Sequence, residues 1–181
     1  MNDGLIPRRY ALALYKFATD RGNTQAVYDE MKQVDASFAS HPDMQKVMAN
    51  PFVARDDKEK ILLQAAGDKL EPDYKSFVKL ILDAGREEYA RRMALAYRDI
   101  YRKENNIAQV VVTSAAELAD SQKDQMRALV QKAFPDLKLE FSFTVNPEII
   151  GGFVITVNST RMDASVSNEL QLLRQKLLRS N

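Results

Sequence analysis

The chain contains no cysteine and a single histidine, His41. Without cysteine there are neither disulfides nor thiolate metal ligands, a pattern compatible with a reducing compartment. One histidine without a neighbouring acidic cluster cannot assemble a usual zinc site or a histidine-based triad. Within "SHPD" it reads as a loop residue ahead of a helix. Long apolar runs are also missing, and nothing approaches the roughly 20 residues that a membrane span needs. The expectation is a soluble chain with no direct membrane insertion. The start, "MNDGLIPRRYALALYKFA", is acidic where an export signal is basic and leads to no small-residue cleavage site, so no export or transit segment is expected. Net charge is nearly absent. The 181 residues carry 26 basic and 25 acidic side chains, and the balance holds in both halves. A polyanion binder carries a basic face, so no nucleic-acid partner is expected.

What is present is ordinary globular material, 45% hydrophobic and 28% charged, enough for one or two domains. Its texture changes once, near "KENNIAQVVV", where helical spacing gives way to a β-branched run. That places domains at 1–105 and 106–181. In the first, Pro7 suits an opening helical turn, and Val27, Met31, Val34 and Phe38 recur at helical spacing. Asp56 with Glu59 three positions on resembles an N-cap arrangement, followed by Ile61, Leu62 and Ala65. Two further helical segments run over 74–82 and 89–101, the latter with Tyr89, Met93, Ala96, Tyr97 and Ile100 on one stripe. The breaks "RGNT", "SHPD", "NPF" and "KLEPD" divide this half into about six helices, a helical bundle.

The second half mixes elements. Val110 to Thr113 reads as a buried strand, and Ser121 to Phe134 as a helix through Met126, Leu129, Val130 and Ala133. In "LKLEFSFTV" the apolar positions Leu137, Leu139, Phe141, Phe143 and Val145 alternate with polar ones, the period of a half-buried strand. Gly152 to Val157 predicts a further strand. Val166, Leu170, Leu173 and Leu177 then mark a closing amphipathic helix, with Arg174, Lys176 and Arg179 toward its C-terminal end. The fold class expected is mainly α, a six-helix bundle followed by a small α+β domain.

A search for chemistry returns little. Gly151 and Gly152 precede "FVIT", whereas a phosphate loop needs Lys and Ser or Thr directly after its last glycine. The pair leads into a strand, which suits a bulge, a bend or a close backbone approach. "RDDKEK" lacks the alternating oxygen ligands and glycine of a calcium loop and reads as a capped, solvated helix start. Arg91 and Arg92 follow Glu87 and Glu88 by one turn, the spacing of a solvated face paired along the helix. No catalytic, cofactor-binding or metal-binding residues are expected.

Two helices of the first domain carry excess apolar surface. "YALALYKFA" has Lys16 as its sole charge, and "FVKLIL" has Lys79. A helix on the outside of a bundle wets most of its circumference. These two are therefore either innermost or the walls of a groove for an amphipathic partner helix.

The segments "RRYALALYKFA", "ANPFVARDDKEKI", "SFVKLILDAGREEY", "VVVTSAAEL", "NPEIIGGFVITV" and "MDASVSNELQLLRQKL" stand in an order and spacing that resemble the delta subunit family of bacterial F-type ATP synthase, called OSCP in mitochondria. The resemblance covers essentially the whole chain, and "IIGGFVITV" followed by "MDASVSNEL" is its most specific part. It implies a non-catalytic stator subunit linking the F1 head to the peripheral stalk, so that rotation is coupled to proton transport and ATP synthesis. In that family the six-helix bundle receives the N-terminal helix of an alpha subunit between helices one and five, and the C-terminal domain engages the C-terminal end of the b subunit. On matching positions the partner-binding residues would be Tyr10, Ala13, Leu14 and Phe17, with Phe77, Val78 and Ile81. One copy in the complex, on the cytoplasmic face of the bacterial inner membrane and without a cofactor, completes the expectation. A nucleic-acid-binding factor or another helical adaptor is the alternative.

Overall fold

The computed structural model describes residues 4–179. The acidic start Met1–Asp3 and the side chain of Arg179, both used above, lie outside the described residues. The chain divides into two compact units between Glu104 and Asn105. Its architecture is mostly helical with one small sheet.

The first unit holds α1 (Leu5–Arg21), α2 (Thr24–Ser40), α3 (Asp43–Ala49), α4 (Arg55–Ala65), α5 (Pro72–Asp83) and α6 (Ala90–Glu104), with a single 3-10 turn, Glu87–Tyr89, before α6. Local chemistry sets the ends. α1 stops at Gly22, whose φ of 73° is a left-handed cap conformation that glycine adopts without a Cβ penalty. α5 opens on Pro72, where a missing N–H costs nothing. α1 and α2 both pack on α6. Their contact is built from small and aromatic side chains: Ala11 and Ala18 are fully buried, and the Tyr28 and Tyr101 rings stack with centroids 4.3 Å apart. Buried phenols find partners, Tyr97 donating to Thr24 O at 3.1 Å and Tyr74 to Leu62 O at 2.8 Å.

Two charged segments differ from expectation. α4 starts at Arg55 after Ala54, with no side-chain cap, and Asp56 instead sits in the first turn where the helix dipole favours an anion. Lys58, in the same run, is buried, and its ammonium bonds Glu87 Oε1 at 2.7 Å and Met48 O at 3.1 Å. Arg91 reaches Asp35 on α2 at 3.3 Å, and Arg98 joins the same carboxylate. These are ties between helices, not the local pairing that the spacing suggests.

The second unit runs β1 (Ile107–Ser114), α7 (Asp120–Ala133), β2 (Lys138–Val145), β3 (Gly152–Val157), β4 (Thr160–Ser165) and α8 (Val166–Arg179), with a 3-10 turn at Pro147–Ile149. The sheet order is β2-β1-β3-β4, parallel between β1 and β2 and antiparallel elsewhere. Register puts Val110 opposite Phe141 and Val157, and Val112 opposite Phe143 and Ile155. These residues form one face, packed with Val130 and Met126 of α7. β4, "TRMDAS", is an edge strand with too little apolar alternation to register as one in the sequence.

Candidate functional site

An apolar furrow of the helical unit lies between α1 and α5. It is lined by Tyr10, Ala13, Leu14 and Phe17 from α1, and by Asp73, Ser76, Phe77 and Leu80 from α5, around a cavity of about 350 Å³. Both sets fall at i, i+3, i+4 and i+7, so each helix contributes one straight stripe to the furrow. Leu14 and Phe77 are its floor, at 4% and 6% exposed, while Phe17 and Leu80 stand at the rim at 39% and 52%.

The expected stripe on α5 needs correction. Val78 and Ile81 are each 1% exposed and absent from the furrow. They sit on the neighbouring sector of the helix with Tyr74 and Leu82 and fill the interior. Leu80, missed in the sequence, takes the rim position.

One end of the furrow is polar. Asp73 has a completely buried side chain, held by Arg21 Nη1 at 2.8 Å, with Asn23 Nδ2 3.5 Å from its other oxygen. The same guanidinium lies 4.2 Å from the centroid of the Phe17 ring. The furrow thus offers an apolar bed with one carboxylate held by Arg21 and a Ser76 hydroxyl that donates to Pro72 O at 2.9 Å. Such a surface suits an amphipathic helix better than a reacting small molecule.

In the second unit, Gly152 has a φ of 74°, and a Cβ there would stand 2.2 Å from Ala164 O. The backbone of β4 therefore occupies the space a side chain would need. At Gly151 an added Cβ would meet Val166 Cγ2 at 3.2 Å. The pair lets β3, β4 and the start of α8 approach closely. α8 itself leaves Val166, Leu170, Leu173 and Leu177 exposed along one stripe. Among the described residues no cluster of histidine and carboxylate side chains is arranged to hold a metal ion, and no helix is long and apolar enough to cross a membrane.

Residues 6–177 match the family profile described as ATP synthase delta (OSCP) subunit. The chain belongs to the ATP synthase delta (OSCP) subunit family. It is 35% identical over 178 residues to the ATP synthase subunit delta of Parabacteroides distasonis, covering 98% of each. The ATP synthase subunit delta of Phocaeicola vulgatus is 32% identical over 179 residues, with 98% of this chain and 96% of that protein covered. Among solved structures, a chain of the Toxoplasma gondii mitochondrial ATP synthase hexamer superposes with a TM-score of 0.73 at 19% identity, over 95% of this chain and 97% of that one. That likeness extends the shared fold to nearly the whole chain. As a family member the chain is a stator subunit of F-type ATP synthase, tying the F1 head to the peripheral stalk.

Proposed function

We propose that the chain works without an active site of its own, through two docking surfaces, one on each unit. The helical unit is the family's six-helix bundle, and its α1/α5 furrow receives the N-terminal helix of an alpha subunit. Tyr10, Ala13, Leu14, Phe17, Phe77 and Leu80 make the contact, while Val78 and Ile81 back the wall from inside. The exposed leucine stripe of α8 belongs to the surface that engages the C-terminal end of the b subunit. One copy serves each complex, held peripherally on the cytoplasmic face of the bacterial inner membrane by these contacts.

The observation that carries this reading is the pair of matched stripes on α1 and α5, apolar at floor and rim. A docked helix removing a few hundred Å² of apolar surface from water gains roughly 5–10 kcal/mol at about 25 cal/mol per Å². Lost rigid-body freedom offsets much of that. Each joint is then modest alone. With one end attached, the second contact becomes intramolecular and gains an effective concentration set by the geometry of the complex. A tie that resists torque needs both.

Titration of a synthetic alpha N-terminal helix against the full chain tests the first joint. Saturable binding to the parent, lost in Leu80→Asp with helicity unchanged, supports it. Equal binding by both chains places the peptide elsewhere.

A further inference from the structure

Docking makes no use of Glu30, a residue of α2 that is 4% exposed. Its Oε1 accepts a hydrogen bond from Glu71 N at 2.5 Å, and its Oε2 has no hydrogen-bond partner. Glu71 is the N-cap residue of α5. A carboxyl group of α2 therefore fastens the first turn of the helix that forms one wall of the furrow.

The charged and titratable groups around it are mostly acidic. α5 and its cap present the Glu71 and Asp73 carboxylates, the Lys75 ammonium and the Tyr74 phenol. α2 contributes Asp29. Asp68 and Lys69, between α4 and α5, share with Glu30 a cavity of about 520 Å³, to which the end of α4 adds only Ala66. α6 brings the Tyr97 phenol. α1 brings Arg21, already committed to Asp73.

We propose that Glu30 is a proton-operated latch on the first turn of α5. Protonated, it holds the Glu71 N–H without adding charge. Ionised, it sets a third carboxylate beside Glu71 and Asp73, around an arginine that serves Asp73, and the turn loosens. Burial is the main cause that lifts this carboxyl to about 7; the Glu71 N–H opposes the lift, the Glu71 and Asp73 charges add to it, and Lys75 pulls it back. For an acid raised in this way, the latch is complete below its ordinary value of 4.5 and is progressively lost as pH rises to about 7. Because Asp73 and Arg21 connect that turn to Phe17, loosening reaches the furrow. This last link rests on the docking proposed above, whereas the latch itself does not.

Amide hydrogen exchange on the full chain, corrected for the intrinsic pH effect, tests the latch at Glu71 and Lys75. Between pH 5 and pH 8 their opening equilibrium in the parent rises on the order of fiftyfold to a hundredfold, from the tenfold change that each pKa unit represents. Glu30→Gln keeps an oxygen for the Glu71 N–H and removes the rise. A parent with no rise, or a variant that keeps it, overturns the latch. Carboxyl NMR titration of the parent is independent of any substitution: a Glu30 midpoint near 7 supports the latch, and one below 5 overturns it. In parallel, the alpha N-terminal peptide is titrated at both pH values. Weaker binding at pH 8 extends the latch to the furrow. Binding at neither pH, with exchange as expected, removes the docking reading and leaves the latch standing.

Discussion

The Arg21 guanidinium lies over the Phe17 ring at 4.2 Å from its centroid while its Nη1 holds Asp73 Oδ1 at 2.8 Å. One side chain thus joins the end of α1 to the start of α5 and sets the posture of a rim residue of the furrow. Arg21 is half exposed and Asp73 fully enclosed, so the pair is unequal. Removing the arginine strands a buried carboxylate. Arg21→Ala should destabilise the helical unit by about 2–3 kcal/mol, below the figure for a fully enclosed pair because water screens the arginine side. Arg21→Lys should recover only part, since an ammonium cannot hold the carboxylate and lie flat on the ring together. Urea unfolding of the three chains measures both effects.

Lys58 and Glu87 tie α4 to the 3-10 turn before α6, with side chains only 5% and 17% exposed. Glu87 Oε2 already lacks a partner. Lys58→Met should cost about 3 kcal/mol by leaving the carboxylate buried and unpaired. The double variant Lys58→Met with Glu87→Leu should recover most of that loss. Thermal unfolding of the single and double variants gives the coupling, and additive losses would contradict a shared interaction.

Much of this fold is legible from spacing alone. Val27, Met31, Val34 and Phe38 are all buried on α2, as a helical stripe requires. The α1 positions Tyr10, Ala13, Leu14 and Phe17, which the family resemblance implies, stand at i, i+3, i+4 and i+7 and share one stripe of the furrow. α5 defeated the reading because an apolar run conceals which sector faces inward, and its furrow stripe includes Asp73 and Ser76, which a search for apolar residues skips. Lys58 was hidden inside "RDDKEK", where neighbours of both signs suggest solvent. Proximity in sequence pairs Arg91 with Glu87, yet its partner Asp35 lies 56 residues away. Long-range pairing of charges has no periodicity to betray it.

The two glycines should respond unequally. Gly152→Ala places a methyl group against the Ala164 carbonyl and demands a positive φ from alanine, a loss of about 2–4 kcal/mol. Gly151→Ala meets only a valine methyl at 3.2 Å, which a small shift relieves, and should cost about 1 kcal/mol or less. Denaturation of the full chain followed by probes in the sheet compares them. Equal losses would mean that the close approach of β3 and β4 is not what requires glycine.

The start of α8 depends on a short relay. Asp163 Oδ1 accepts from Ser165 N and Oγ at 3.1 and 2.6 Å, and Ser165 Oγ accepts from Asn168 N at 3.2 Å. Hydrogen bonds from Ser165, followed by Arg161, hold the Asp163 carboxyl below its usual value of 3.8. The resulting stability is present above that value and is lost as pH falls through the lowered one. Helicity of the α8 region should therefore decline in acid, and Asp163→Asn should lower it at neutral pH while removing that part of the acid response. Site-resolved NMR of Asn168 follows the cap directly.

The central claim is that the α1/α5 furrow is filled by a partner's helix inside the assembled complex. A photo-crosslinking residue in place of Leu80, at the exposed rim, tests it in the intact ATP synthase. The claim expects a crosslink to the N-terminal segment of an alpha subunit, while the same probe at the buried Ile81 gives none. Crosslinks from position 80 to any other subunit, or none in an active complex, would contradict it.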